Sequence, residues 1–169
     1  MASTTINYSA NTTITMDLGS LASSSTFTAG VESAEIDNAT TNKYVDALVQ
    51  GKVKVGTTPT ANTTINIYVW GADTSLGTTA IDVLDGTTSA ETLTNSGVLG
   101  AALRLGASIG VYATTSDVTY NVAPFSVAAL FGGNMPKFWG LFVAHNTVAA
   151  LNATNSNLFS FNGIKYDIA

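Results

Sequence analysis

The sequence predicts an all-β fold, a single-domain β-sandwich of jelly-roll type with at most one short helix. Three observations carry that prediction. Hydrophobic residues make up 46% of the 169-residue chain but charged residues only 10%, so Thr, Ser, Asn and Gly fill the gap. Thr is β-branched and suits a pleated sheet, while the Lys and Glu that decorate exposed helices are scarce. Apolar residues also alternate along short runs separated by Gly, Pro, Asn and Asp, giving roughly eight to ten strands at sandwich spacing. The connections are long and the strand lengths mixed, which fits a jelly roll better than an up-and-down barrel.

The elements are justified in chain order. Thr4, Ile6 and Tyr8 share one face of a first run, and Ile14, Met16 and Leu18 one face of a second, with Asn11 as a turn between them. Residues 1–18 read as an ordinary first hairpin or, less favoured, as an arm that pairs with a neighbouring subunit. Tyr44 to Val55 reads as a long strand with Val49, Gly51, Val53 and Val55 inward. Gly56-Thr-Thr-Pro-Thr-Ala-Asn62 is a turn. Thr63 to Trp70 is the next strand, with Ile65, Ile67 and Val69 inward. Asn66, Tyr68 and Trp70 form a row on its other face. That row reads as a ligand platform or partner contact, or equally as a face covered by a loop or second sheet.

Residues 71–97 form a long polar excursion with an apolar island at Ile81, Val83 and Leu84, and Ser96 is placed to cap a short helix reaching Leu105. Ile109–Thr115 and Val118–Ala123 read as a hairpin. Phe125–Phe131 fits a buried strand or one helical turn. Pro136 to Thr147 is the most apolar run, with Phe138, Gly140, Phe142 and Ala144 on one side and Trp139, Leu141, Val143 and His145 on the other. It is expected to be a central strand covered on both faces. The last strand, Leu158 to Ile168, is expected to turn Ile164, Tyr166 and Ile168 inward and Lys165 and Asp167 outward. No linker separates two apolar cores, so residues 1–169 are assigned to one domain.

Chemistry has little foothold. The net charge is −5 with six Lys and Arg together, which disfavours nucleic acid and anionic membrane surfaces as partners. There is no cysteine, and so no thiolate or disulfide chemistry. No apolar run approaches the ~20 residues of a membrane helix, and Met1 to Tyr8 has no signal-peptide pattern. Glu32, Glu35, Asp37 and Asp46 lie close in sequence, but without a calcium-loop pattern they read as turn caps or a solvated face. Asp82-Val-Leu-Asp-Gly86 is first a turn signal. His145, the single histidine, reads as a strand-end residue bonded to backbone or water. No nucleophile elbow, P-loop or dinucleotide fingerprint occurs. The chain is expected to be no enzyme and to hold no cofactor or metal.

A set of blocks nevertheless stands in a distinctive order: Ser20-Leu-Ala-Ser-Ser24, Gly30-Val-Glu-Ser33, Ile36-Asp-Asn38, Tyr44-Val-Asp-Ala-Leu48, Gly51-Lys52, Gly56 to Thr63 and Ile67-Tyr-Val-Trp70. Ser126 to Gly133, Met135 to Gly140 and His145-Asn-Thr147 complete it. Together they resemble structural proteins of tailed-bacteriophage virions, of the head-decoration (cement) type, over most of the chain. Where that group carries Gly after the His-Asn-Thr block, this chain has Val148. The resemblance implies a non-enzymatic homo-oligomer, dimer or trimer, on the capsid exterior. It would bind the major capsid protein and stabilise the expanded shell by bridging capsomers. Ile6, Tyr8, Tyr68 and Trp70 are the interface candidates, chosen from sequence pattern alone. The alternative is a tail or fibre component that binds a carbohydrate receptor, with Trp70 stacking on sugar beside Asp73. A polysaccharide-degrading enzyme is the third reading, and it needs a carboxylate pair across a cleft.

Overall fold

The computed structural model describes residues 4–168, with Ile168 described by its backbone alone. Met1, Ala2, Ser3 and Ala169, and the inward placement expected for the Ile168 side chain, lie outside the described residues. Two antiparallel sheets pack as a sandwich. The strands are β1 (Thr4–Tyr8), β2 (Thr12–Ile14), β3 (Ala29–Glu32), β4 (Ile36–Asp37), β5 (Asp46–Lys54) and β6 (Thr63–Ala72). Then come β7 (Ser89–Thr92), β8 (Leu103–Val111), β9 (Thr119–Ser126), β10 (Phe138–His145) and β11 (Phe159–Ile168).

The pairing is nested. β1 and β2 pair with β11, β3 and β4 with β10, β5 with β9, and β6 with β8. Rolling up then joins β11 to β5 and β10 to β6. The first sheet runs β1-β11-β5-β9, with β2 beside β11, and the second runs β7-β3-β10-β6-β8. First strand on last, second on next-to-last, closed into two sheets, is the jelly roll expected from the sequence.

The inward faces make the main core, where Val49, Val53, Ile65, Ile67, Val69, Leu141 and Val143 are fully buried. Trp139 and Phe161 meet edge to face at 5.2 Å across it. β10 is buried from Trp139 to His145 on both faces, as its unbroken apolar pattern requires. Its second face lies in a separate core: Phe142 and Ala144 join Tyr68, Trp70, Leu76, Leu84, Leu93 and Leu103 beneath the long excursion. Gly140 makes this possible, because a Cβ there would stand 2.5 Å from the Trp70 ring.

Four local expectations are corrected. β1 and β2 are no hairpin; they lie end to end along β11, Thr4–Tyr8 against 164–168 and Thr12–Ile14 against Phe159–Phe161. Ile109–Thr115 and Val118–Ala123 do not pair either, since β8 and β9 belong to different sheets and the chain crosses between them. The helix after Ser96 spans only Gly97–Ala101, and the capping acceptor is Asn95 Oδ1 on the Gly97 N–H. The chain then enters strand β8. There are also more helical pieces than expected: this helix (α1), one turn at Val127–Leu130 (α2) and a π-helical turn at Asn38–Asn42. α2 settles the ambiguous Phe125 run, with Ser126 Oγ accepting from the Ala129 N–H.

Candidate assembly surface

The acidic residues that stand close in sequence go to different places. Glu32 is buried, and its two carboxylate oxygens accept the Asp85 and Gly86 N–H groups at 3.0 Å each. Burial raises its pKa from 4.5 to about 7; the Gly86 and Asp85 N–H bonds oppose this, and the charges of Asp85 and Glu91 add to it. Glu35 accepts the Leu76 N–H. These two carboxylates therefore fasten the excursion over Trp70. Asp37 caps the π-helical turn through Ala39 and Thr40, and the Thr40 hydroxyl bond leads in lowering its pKa. Asp46 accepts Ser126 Oγ and the Ala128 N–H. All four act as turn and loop caps, and among the described residues no three His, Asp or Glu side chains converge as a metal site.

His145 is fully buried at the end of β10. Nε2 donates to the Leu21 carbonyl at 3.0 Å, which leaves Nδ1, 2.9 Å from Thr147 Oγ1, as the acceptor in the neutral ring. Burial lowers its pKa, with the Leu21 bond acting in the opposite direction. The residue is a structural tie, as expected. An open cleft of about 620 Å³ lies where Asp17–Ala22 passes β3 and β7. Its carboxylates are engaged locally: Asp17 accepts the Gly19 N–H and Glu91 accepts Ser89 Oγ.

Tyr68 and Trp70 are not a surface row. Trp70 is fully buried and Tyr68 nearly so, both under the excursion. The excursion is apolar enough at Leu76, Leu84 and Leu93 to use that face itself. Trp70 therefore cannot stack on a sugar from solvent, and Asp73 instead faces solvent beside Lys137.

Ile6 and Tyr8 are at the surface. β1 and the last residues of β11 run as a two-stranded ribbon beyond the end of β5, which pairs only as far as Ile164. Ile6 stands opposite Tyr166 and Tyr8 opposite Ile164. Directly opposed residues share a face, so all four lie together. Ile6 is 61% exposed, and Tyr8 and Tyr166 are 59% exposed. The expectation that Tyr166 points inward is overturned. Phe159, Phe161 and Gly163 face the core, with the Tyr44 ring lying against Gly163, so the even-numbered residues beyond it point outward.

The polarity of β11 thus reverses at Gly163. Before it, the inward side is aromatic and the outward side is Ser160 and Asn162. After it, the inward side carries Lys165 and Asp167, 3.5 Å apart, and Asn7 Nδ2 donates to Asp167 at 2.6 Å. The Asn7 bond, followed by the Lys165 charge, lowers the Asp167 pKa. The outward side carries Ile164 and Tyr166. The signal was in the sequence, since Phe159 and Phe161 are odd-numbered and Ile164, Tyr166 and Ile168 even-numbered. An unbroken strand cannot place both sets on one side.

Against known protein families, curated proteins and solved structures, the chain finds no significant match.

Proposed function

We propose that this chain is a structural component of a tailed-phage virion, a decoration protein that binds the outside of the head and bridges capsomers of the expanded shell. The observation that carries the reading is the polarity reversal of the β1–β11 ribbon. An apolar strip of Ile6, Tyr8, Ile164 and Tyr166 is turned away from the chain's own core, which is how an assembly contact is built. The resemblance of the sequence blocks supplies the particle. Those blocks lie on β3, β4, β5, β6, α2, β10 and loops between them, whereas residues 4–8 and 164–168 lie outside them. A surface whose solubility rests on hydroxyls and amides suits the same role, since docking desolvates few charges.

The mechanism is linkage. A protein that binds the expanded shell and not its precursor stabilises the expanded form by mass action, and many copies multiply the effect. The partner would be the major capsid protein and the site the capsid exterior, with no catalytic step.

Co-sedimentation with expanded shells stripped of the protein, beside unexpanded shells, tests this. Saturable binding to expanded shells alone is expected, at a stoichiometry matching one class of symmetry axis. Tyr8→Ala is expected to weaken it by about tenfold or more, the scale of an aromatic anchor. Absence of binding to either shell would overturn the reading.

A further inference from the structure

β1 is the free edge of the first sheet. Edge strands are ordinarily blocked by a Lys, a Pro, a bulge or a covering loop. Thr4-Thr-Ile-Asn-Tyr-Ser-Ala10 has no charge and no proline, and β1 keeps an unbroken register with β11. Its outer edge pairs with nothing among the described residues. A two-stranded ribbon is also marginal by itself.

We propose that β1 pairs antiparallel with β1 of a second copy, about a two-fold axis through Ile6, joining the two first sheets into one. The inference rests on reading the ribbon as an assembly contact, but not on the particle it serves. Full overlap of the five residues of β1 sets Ile6 against Ile6 and Thr4 against Tyr8. A two-fold axis brings each surface patch against its own copy, so charges on the edge would meet like charges. β1 carries none. Lys165 and Asp167 sit on β11, on the opposite face of the ribbon, and are paired with each other. The apolar strip then becomes continuous across the axis, with each Ile6 between its own Tyr166 and the other Ile6. Three exposed side chains per copy cover far less than the roughly 800 Å² per partner of a stable interface. The pairing is therefore weak in free solution and strengthened where copies are held side by side.

Cysteine trapping detects such an association. The chain has no cysteine, so Ile6→Cys introduces a single thiol. Directly opposed residues of antiparallel strands have Cα atoms about 4.5–5.5 Å apart, within disulfide reach. Under mild oxidation without shells, Ile6→Cys is expected to form the disulfide dimer at least about tenfold faster than Gln50→Cys, an exposed control on the same sheet. Adding Tyr8→Lys should slow the Ile6→Cys reaction about tenfold, because the new charge must be desolvated at the junction. Equal rates for the two cysteines, or indifference to Tyr8→Lys, overturns the proposal. A dimer that forms while shell binding fails keeps the pairing and removes the shell reading. An Ile6→Cys that links only to a shell subunit gives the ribbon to the shell and removes the second copy.

Discussion

The outer faces of the two sheets carry the same sequence signal and end in opposite states. On the second sheet, Tyr68, Trp70 and Phe142 form an aromatic face that the chain covers with its own excursion. On the first, Ile6, Tyr8 and Tyr166 form an apolar face that the described chain leaves bare. Alternation says that a face is to be buried, not which segment buries it. The neighbouring stretches of chain make the difference. β6 leads into some thirty residues containing Leu76, Leu84 and Leu93, held down by the carboxylates of Glu32 and Glu35. Among the described residues, no such segment lies beside the β1–β11 ribbon.

Paired truncations break or sharpen this comparison. Trp70→Ala is expected to cost about 3–5 kcal/mol of stability, the range for emptying a large aromatic site. Tyr8→Ala is expected to change stability by less than about 0.5 kcal/mol, the range for surface substitutions, while weakening assembly. Urea denaturation measures both. A Tyr8→Ala as costly as Trp70→Ala would show that the ribbon face is buried within the monomer. Trp70→Phe separates volume from hydrogen bonding, because the Trp70 indole N–H has no partner among the described residues. The lost ring volume is the only expected cost.

The fastening of the excursion gives the next effect. Glu32→Ala leaves the Asp85 and Gly86 N–H groups without their acceptor, at a cost of about 2 kcal/mol. Hydrogen exchange should accelerate over 73–88 and leave the ribbon unchanged. The wild type carries a pH signature as well. The pKa of Glu32 rises on folding from 4.5 to about 7, so its favourable contribution is complete below 4.5 and is lost as pH rises towards 7. The loss by pH 7 is roughly 3 kcal/mol. His145 acts in the other direction: its pKa falls on folding from 6.5, so stability declines as pH drops below that value. Glu32→Gln should flatten the decline between pH 4.5 and 7 and leave the His145 limb intact. An unchanged profile in that variant would remove Glu32 as its source.

Much of the fold was legible because periodicity and punctuation agreed. Val49, Val53, Ile65, Ile67 and Val69 point inward as their spacing requires, and β10 is covered on both faces because both carry apolar residues. Errors came where the decision was not local. β8 and β9 read as a hairpin, since a short polar link is compatible with one, but nested pairing sends them to different sheets. Tyr68 and Trp70 gave no local sign of the segment that covers them. The ribbon face was half legible: the alternation of Ile6 and Tyr8 marks two side chains that are exposed, whereas reading β11 as one continuous face hides Tyr166 behind the parity change after Phe161.

A further test falls on the loop after β10, where the backbone is strained. Val148 has φ +69°, and its side chain is exposed. A β-branched residue in the left-handed region is strained by about 1–2 kcal/mol. The loop imposes the conformation: the Val148 N–H donates to Ser23 Oγ at 3.0 Å. Glycine relieves the strain but adds about 0.5–1 kcal/mol of unfolded-state entropy. Val148→Gly should therefore stabilise by about 0.5–1 kcal/mol, raising Tm by roughly 1–4 °C for a chain of this size. Val148→Ala, which keeps most of the strain and removes the branch, should fall between the two. A Tm lowered by glycine would mean that the Val148 side chain is held by a contact, and would place a second buried surface at the His145 end of the sandwich, away from the ribbon.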